Sequence, residues 1–448
     1  MPTMKKLYYT CCLLMTMGML FSCDVLNQEP EALIATSDAI VDARSAEAAL
    51  NGLYNAVQNG DLYGGRFIMA NEMLAQNAIA AAFQAFWAEL ASGNVPASNF
   101  HLEDLWVSAY AAVNSANSLI AAVPTVPGLD AADQDRMLGT AYYFRALMFF
   151  DLLRQYGEFF EPGSPYGIPL VLNPSLAISE TARATVAESF AQIAADLTEA
   201  MNRLPDSGDK FFATQGAAQA LMARVALYQG NYTEALAMAN AVIANGSYSL
   251  SDDYNEIYTT EGAAESIFEL NFLALDDGNA WAIEMYITPP EVAVAPALPA
   301  FFAATNNAER GLLFETIDGQ IRCTKYGRAR EDEGSNTIIS RLSEMYLIRA
   351  EALGFSGSPA SALADINTIR NRAGLPNLTA IATQDDLVTA LLNERRAEFA
   401  FEGHYWFDLV RLGRMEAVTG RPAFRKVMPI PQRELNITDG TIDQNPGY

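Results

Sequence analysis

The sequence predicts a mostly α-helical fold, an array of paired helices with irregular, loop-rich segments beside it. Three observations carry that prediction. Apolar residues recur at three- and four-residue spacing through most of the chain. Glycines such as Gly230, Gly246 and Gly374 fall where these patterns stop, and capping residues fall where they begin. Hydrophobic residues make up 51% of 448 positions, enough for a large core and too many for a disordered chain.

The first segment reads as a leader rather than as part of the fold. Lys5 and Lys6 precede a largely apolar run, Leu7 to Phe21, which is shorter than a bilayer span. The run ends in Leu20-Phe21-Ser22-Cys23, which resembles a bacterial lipobox. The chemistry implied is thioether lipidation of Cys23, cleavage before it, and acylation of the new amino terminus. Residues 1–22 are therefore expected to be a lipoprotein signal peptide, 23–38 the lipidated cysteine and a tether, and 39–448 a single domain. Cys11 and Cys12 leave with the signal and Cys23 becomes an anchor. Cys323 then remains alone, so no disulfide framework can form.

Helical spacing predicts elements near 42–58, 102–122, 131–156 and 184–203. A pair follows around Gly230, with AAQALMARVALYQ before it and TEALAMANAVIANG after it. Asn231 and Glu234 have capping-box spacing. The order Ala226-Leu227-Tyr228-x-Gly230-x-Tyr232-x-x-Ala235-Leu236 resembles a tetratricopeptide repeat, in which small residues let two helices approach closely. A second pair begins with a helix at 341–355. Ser358 and Pro359 then read as an N-cap and first helical residue, and Gly374 and Pro376 as a stop. A last long helix is predicted at 385–402. The helical array therefore spans about 39–58, 102–246 and 337–414. Residues 60–100 and 247–336 lack the spacing and carry Gly, Asn and Pro with scattered aromatics. Loops this long are usually functional.

The formal charge of −25 argues against a nucleic-acid partner, which needs clustered Lys and Arg. It also argues against adhesion to anionic lipid by charge, so membrane attachment would rest on the acyl chains.

Six stretches then occur in a fixed order: TAYYFRALMFFDLLRQYG (140–157), SEMYLIRAEA (343–352), ALADINTIRNRAGLP (362–376), NERRAEFAFEGHYWFDLVRLGR (393–414), VMPIPQREL (427–435) and QNPGY (444–448). With the lipobox, this order resembles the SusD/RagB family of Bacteroidetes outer-membrane lipoproteins over nearly the whole mature chain. The resemblance implies a tetratricopeptide-like helical array whose irregular region bears the ligand site. It also implies a non-enzymatic, outward-facing, lipid-anchored protein of the cell outer membrane. Such a protein captures an oligosaccharide, or in some members a peptide, and hands it to a SusC-like TonB-dependent transporter. One departure is visible: family members commonly carry Arg after the EGH triplet, where this chain has Tyr405.

Sugar recognition needs flat rings for the C–H faces and polar side chains for the hydroxyls. Two places in the irregular segments supply both. Phe83, Phe86 and Trp87 lie near Gln76, Asn94 and Asn99, before the helix that carries Trp106, Tyr110, Asn114 and Asn117. The family commonly places ligand aromatics before that helix. Phe83 and Trp87, at i and i+4, read equally as a buried helical stripe. Trp281 and Tyr286 form the second group, and Trp281, beside DDGNA, is the preferred ligand contact. Trp106, Tyr110, Asn114 and Asn117 read as helix packing.

No catalytic residue, metal ligand or cofactor is assigned. The Gly-x-Ser-x-Gly elbow, phosphate loop and His-Glu-x-x-His motif do not occur. A carboxylate pair for glycoside hydrolysis stays open, because separations are not legible in sequence. Asp252-Asp253 and Glu331-Asp332-Glu333 lack the alternation of a calcium loop and read as solvated acids. FEGHYWFDLVR (401–411), dense in polar groups, reads as scaffold, with Phe401, Trp406, Phe407, Leu409 and Val410 in the core and His404 a non-ligand.

Overall fold

The computed structural model describes residues 39–175, 181–273, 280–326 and 335–448. The leader, Cys23, the tether and the acidic triplet at 331–333 lie outside the described residues. In chain order the main helices are α1 (Ala43–Gln58), α2 (Arg66–Leu74), α3 (Ala85–Ser92), α4 (Phe100–Ala122), α5 (Ala131–Tyr156), α6 (Val186–Arg203), α7 (Gln215–Tyr228), α8 (Tyr232–Ala244), α9 (Ala280–Glu284), α10 (Leu342–Ser356), α11 (Leu363–Arg372), α12 (Gln384–Glu398) and α13 (Tyr405–Arg411).

Helix α5 is the centre of the array. From Met137 to Tyr156 nearly every side chain is buried, as expected of a helix that is apolar on all sides. Its polar members are paired. Arg145 binds Asp196 of α6 through two bonds of 2.8 and 2.6 Å, and Arg154 binds Asp151, to which the Tyr63 hydroxyl donates at 2.8 Å. Helices α4 and α6 pack on α5, α7 pairs with α8, and α8 lies against α10, so pairs stack on pairs. Gly230 turns the α7–α8 corner at φ +71°. The Asn231 side chain accepts from the Glu234 N–H at 3.3 Å, the forward half of the expected capping box. Ser358 departs from expectation. The chain enters α11 through a 3₁₀ turn, Pro359–Ala362, closed by Ser361 N donating to Ser358 O, and the serine side chain makes no cap bond.

The two irregular segments are not separate. Strand β1 (Ala78–Ala80) comes from the first and β3 (Val292–Val294) from the second, and they pair antiparallel with Ala78 opposite Val294. Strand β2 (Ser266–Leu270) pairs with β6 (Thr337–Arg341). Strands β4 (Phe314–Ile317) and β5 (Gln320–Cys323) form a hairpin over Asp318 and Gly319, both at positive φ as a tight primed turn requires.

The predicted 385–402 helix stops at Glu398. Phe401 and Gly403 take φ of +62° and +76°, which turns the chain out of the helix. That turn drops Glu402 beside Glu398 and closes a buried ion network. Arg341 Nη1 reaches Glu265 at 2.7 Å and Glu398 at 2.5 Å, and its Nε reaches Glu402 at 2.9 Å. Arg310 binds Glu394 and Glu398 at 2.6 and 2.7 Å. Arg372 binds Glu265 and Glu398, and Lys325 binds Glu402 at 2.6 Å. Burial alone would raise the Glu398 carboxyl, but Arg372, Arg341 and Arg310 overcome it and hold the group well below the ordinary carboxylate range. In FEGHYWFDLVR, Asp408 is bound by Arg395 at 2.7 Å and by Arg411 at 2.8 Å. Burial and four surrounding arginines keep His404 neutral.

Tyr405 meets Arg396, whose guanidinium carbon lies 4.9 Å from its ring centroid and 4.7 Å from that of Phe301. The nearby buried carboxyl with no ion-pair partner among the described residues is Glu72. It accepts from Asn77 Nδ2 at 2.8 Å and Gly403 N at 3.2 Å, and burial pushes it up to about 7.

Two outcomes are expected. Arg341→Met should lower unfolding free energy by about 3–5 kcal/mol in denaturant titration, because it strands buried carboxylates. Glu72 holds its proton to about pH 7 when folded but ionises near pH 4.5 when unfolded. The stability of its neutral form is thus full below pH 4.5 and is lost as pH rises through 7. Glu72→Gln should remove roughly 3 kcal/mol of the fall in stability between about pH 5 and pH 8, measured as the difference between variant and wild-type melts.

Candidate ligand-binding site

Strand pairing between β1 and β3 brings α2, α3 and α9 to one flank of α4. There an aromatic cluster and a polar chain meet end to end. Phe86, half-buried on α3, lies 6.3 Å from Phe100 and 4.3 Å from His101, centroid to centroid. Phe100, the first residue of α4, is 57% exposed. Phe83, in the turn before α3, is 101% exposed. A wholly exposed phenylalanine three residues from a half-exposed one is costly to leave in water unless something covers it.

The polar chain starts at Trp87, whose Nε1 donates to Glu284 Oε2 at 2.7 Å. Glu284 holds Arg66 at 2.5 Å, and Arg66 holds Asp61 at 2.6 Å. Asp61 accepts from Ser108 Oγ at 3.3 Å. On α4, Phe100, Asp104 and Ser108 follow at four-residue spacing and share a face, which brings the chain back to the rings. Asp104 has no hydrogen bond or ion pair among the described residues. Burial, and then the neighbouring Asp61, push its carboxyl up to about 6. Burial likewise drives His101 down to about 3, so this imidazole stays neutral beneath the rings. The arrangement offers apolar ring faces beside one unengaged carboxyl, a set suited to a molecule with alternating C–H faces and hydroxyls.

The residues expected at the site divide. Phe83 and Phe86 lie on this surface. Trp281, the preferred contact, is 1% exposed: it stacks on Tyr326 at 3.8 Å and 8°, and no ring face is free for a sugar. Gly65 is what admits it, at φ +137° and with a Cβ position 3.0 Å from the indole. Tyr286 is 9% exposed and its hydroxyl donates to Cys323 O, so it too is internal. Trp87 is fully buried and acts through Glu284. The expected Phe83–Trp87 stripe is therefore split, because α3 begins only at Ala85. Asn99 is the N-cap of α4, accepting from Leu102 N at 3.2 Å and donating to Glu89 at 2.8 Å. Gln76 and Asn94 are exposed, but Gln76 reaches Thr419 O and Asn94 accepts from Arg425 at 2.7 Å. Phe100, Asp104, Ser108, Asp61 and Arg66 were missed. The i, i+4, i+8 spacing of the first three was the signal available.

A groove of about 220 Å³ lies on the other flank of α4, lined by Trp106, Tyr110, Asn114 and Arg433 among others. Its polar atoms are occupied. Tyr110 donates to Pro169 O at 2.8 Å, and Asn114 accepts from Ser175 N at 2.9 Å. Asn117, beside them, donates to Val171 O at 2.8 Å. These side chains hold the 169–175 segment, in keeping with their reading as packing residues. Among the described residues no group of three or more His, Cys, Asp or Glu is placed to hold a metal ion. No described helix is long and apolar enough to cross a membrane.

Comparison with known proteins gives the same picture of the whole chain. A family model described as the SusD family matches residues 302–427, and one described as starch-binding associating with outer membrane matches residues 26–227. A SusD-like protein of Formosa agariphila is 26% identical, with 100% of each chain covered. The structure is similar to that of a SusD superfamily protein from Bacteroides thetaiotaomicron, with a TM-score of 0.79 and 25% identity over 91% of this chain and 100% of that one. It is also similar to a laminarin-binding SusD-like protein, with a TM-score of 0.75 and 25% identity over the same shares.

Trp281→Ala is expected to act on stability. It should lower unfolding free energy by about 3–5 kcal/mol in denaturant titration, because it opens a large cavity against Gly65 and Tyr326.

Proposed function

Because the chain belongs to the SusD/RagB family, we propose that it is a non-catalytic surface protein that captures an oligosaccharide and delivers it to a SusC-like TonB-dependent transporter. Attachment to the outer membrane, facing outward, is through lipid on Cys23. Residues 39–448 act as one unit, a reading supported by a hydrophobic cluster that runs from Ile40 to Ile442.

The observation that carries the binding role is the exposure of Phe83, in the turn before α3, and of Phe100, which meets half-buried Phe86, one helical turn from an Asp104 carboxyl with no ion pair among the described residues. A pyranose presents an apolar C–H face that covers such rings and hydroxyls that satisfy such a carboxyl. Delivery needs release, so binding by a few rings and hydrogen bonds suits a carrier better than deep enclosure does.

The test is affinity electrophoresis of the mature chain through gels containing individual polysaccharides, with reducing-end release measured in parallel. Retardation by at least one glycan with no product formed is expected. Phe83→Ala and Phe86→Ala should each weaken binding to that glycan roughly tenfold, the scale of one aromatic contact. Unchanged binding in both variants would remove this surface from the site, and product release would make the protein an enzyme.

A further inference from the structure

The charges around the ring cluster are unevenly satisfied, and that bears on which glycans fit. This step rests on the glycan-binding reading. Among the described residues the cations of this surface are engaged. Arg66, the one guanidinium in the polar chain, is held between Asp61 and Glu284 at 2.6 and 2.5 Å. His101, packed edge-on against Phe86, stays uncharged. The carboxylates outnumber these groups. Asp104 stands one turn from Phe100 with no partner among the described residues. Glu291 accepts only neutral donors, Gln84 Nε2 at 3.0 Å and Trp87 Nε1 at 3.3 Å. An anionic sugar substituent laid on these rings would find, among the described residues, no free guanidinium or ammonium, and would meet the carboxyl one helical turn from Phe100. A neutral hydroxyl in the same place donates to a carboxylate, a charge-assisted bond.

We propose that this surface selects uncharged glycans over uronate- or sulfate-bearing ones, and that Asp104 is the residue that enforces the choice. Asp104 suits the role because its carboxyl is unpaired and shares a helix face with Phe100. Asp61 and Glu284 are already bound by Arg66, which offsets one of their two charges.

The probe is a set of neutral glucans, xylans and mannans, each compared with its own sulfated or carboxymethylated derivative, so that backbone shape is held constant. Binding of the mature chain is followed by affinity electrophoresis and calorimetry. Wild type should bind at least one neutral polymer and prefer it over its charged derivative by roughly tenfold or more. Asp104→Asn keeps the side-chain shape; it should weaken the neutral ligand, since a charge-assisted acceptor is lost, and narrow the neutral-over-charged ratio severalfold. Raised salt should narrow it in wild type and have little effect in the variant. A charged derivative bound as tightly as its parent would overturn the selection and leave the glycan reading standing. An undiminished preference in a folded Asp104→Asn would overturn the part given to that residue. If no polymer of either kind binds, the glycan reading falls and the selection with it.

Discussion

The buried carboxylate of Glu398 is the constraint around which the lower half of the molecule is arranged. It draws Arg310, Arg341 and Arg372 into one place. Those arginines come from a short helix within the second irregular segment, from the end of β6 and from α11. Glu265, at the start of β2, is tied to two of the same arginines, and Glu402 is tied to Arg341 and Lys325. Each charge left unpaired at this depth would cost several kcal/mol, so the elements that bear them are held to one mutual geometry. The network also explains the early end of α12. Were the helix to continue through Glu402, that residue would follow the helical course, away from Arg341 and Lys325.

From that anchor the irregular segments acquire positions. Strand β2 is held to β6 by its ladder and by Glu265 to Arg341. Strand β3, later in the same segment, reaches across to β1. Trp281 fills the space between α9 and the loop at Gly65, stacked on Tyr326. The ring cluster of Phe86 and Phe100 thus rests on a rigid base, although the segments that supply it read as loop. A binding surface gains from such support, because less order has to be imposed when the ligand arrives.

Electrostatics divide the molecule into two regimes. In the network around Glu398, arginines and carboxylates are matched, and His404 and His101 are kept neutral. At the candidate site the matching is incomplete among the described residues: one Arg66 faces Asp61, Glu284 and, at longer range, Asp104. Glu72 shows a third outcome, in which a carboxyl in a dry pocket beside Tyr405 keeps its proton instead of gaining an arginine.

Much of the fold was legible. Helical spacing, Asn231, Gly230, Gly246 and Gly374 are local signals, and they give helices and ends close to those observed, as at 131–156. FEGHYWFDLVR read correctly as scaffold, because its large residues follow core spacing. What sequence alone could not decide was exposure in the irregular segments. Trp281 and Phe83 are both aromatic residues in polar surroundings, yet one is stacked on Tyr326 and the other stands in water. That difference depends on contacts between residues tens to hundreds of positions apart, on Gly65 leaving room for an indole and on β1 meeting β3. Local pattern carries no information about such contacts. Periodicity along the chain therefore determined the helical array, and only the tertiary structure decided which rings stand exposed, since burial is a property of packing and not of sequence neighbourhood.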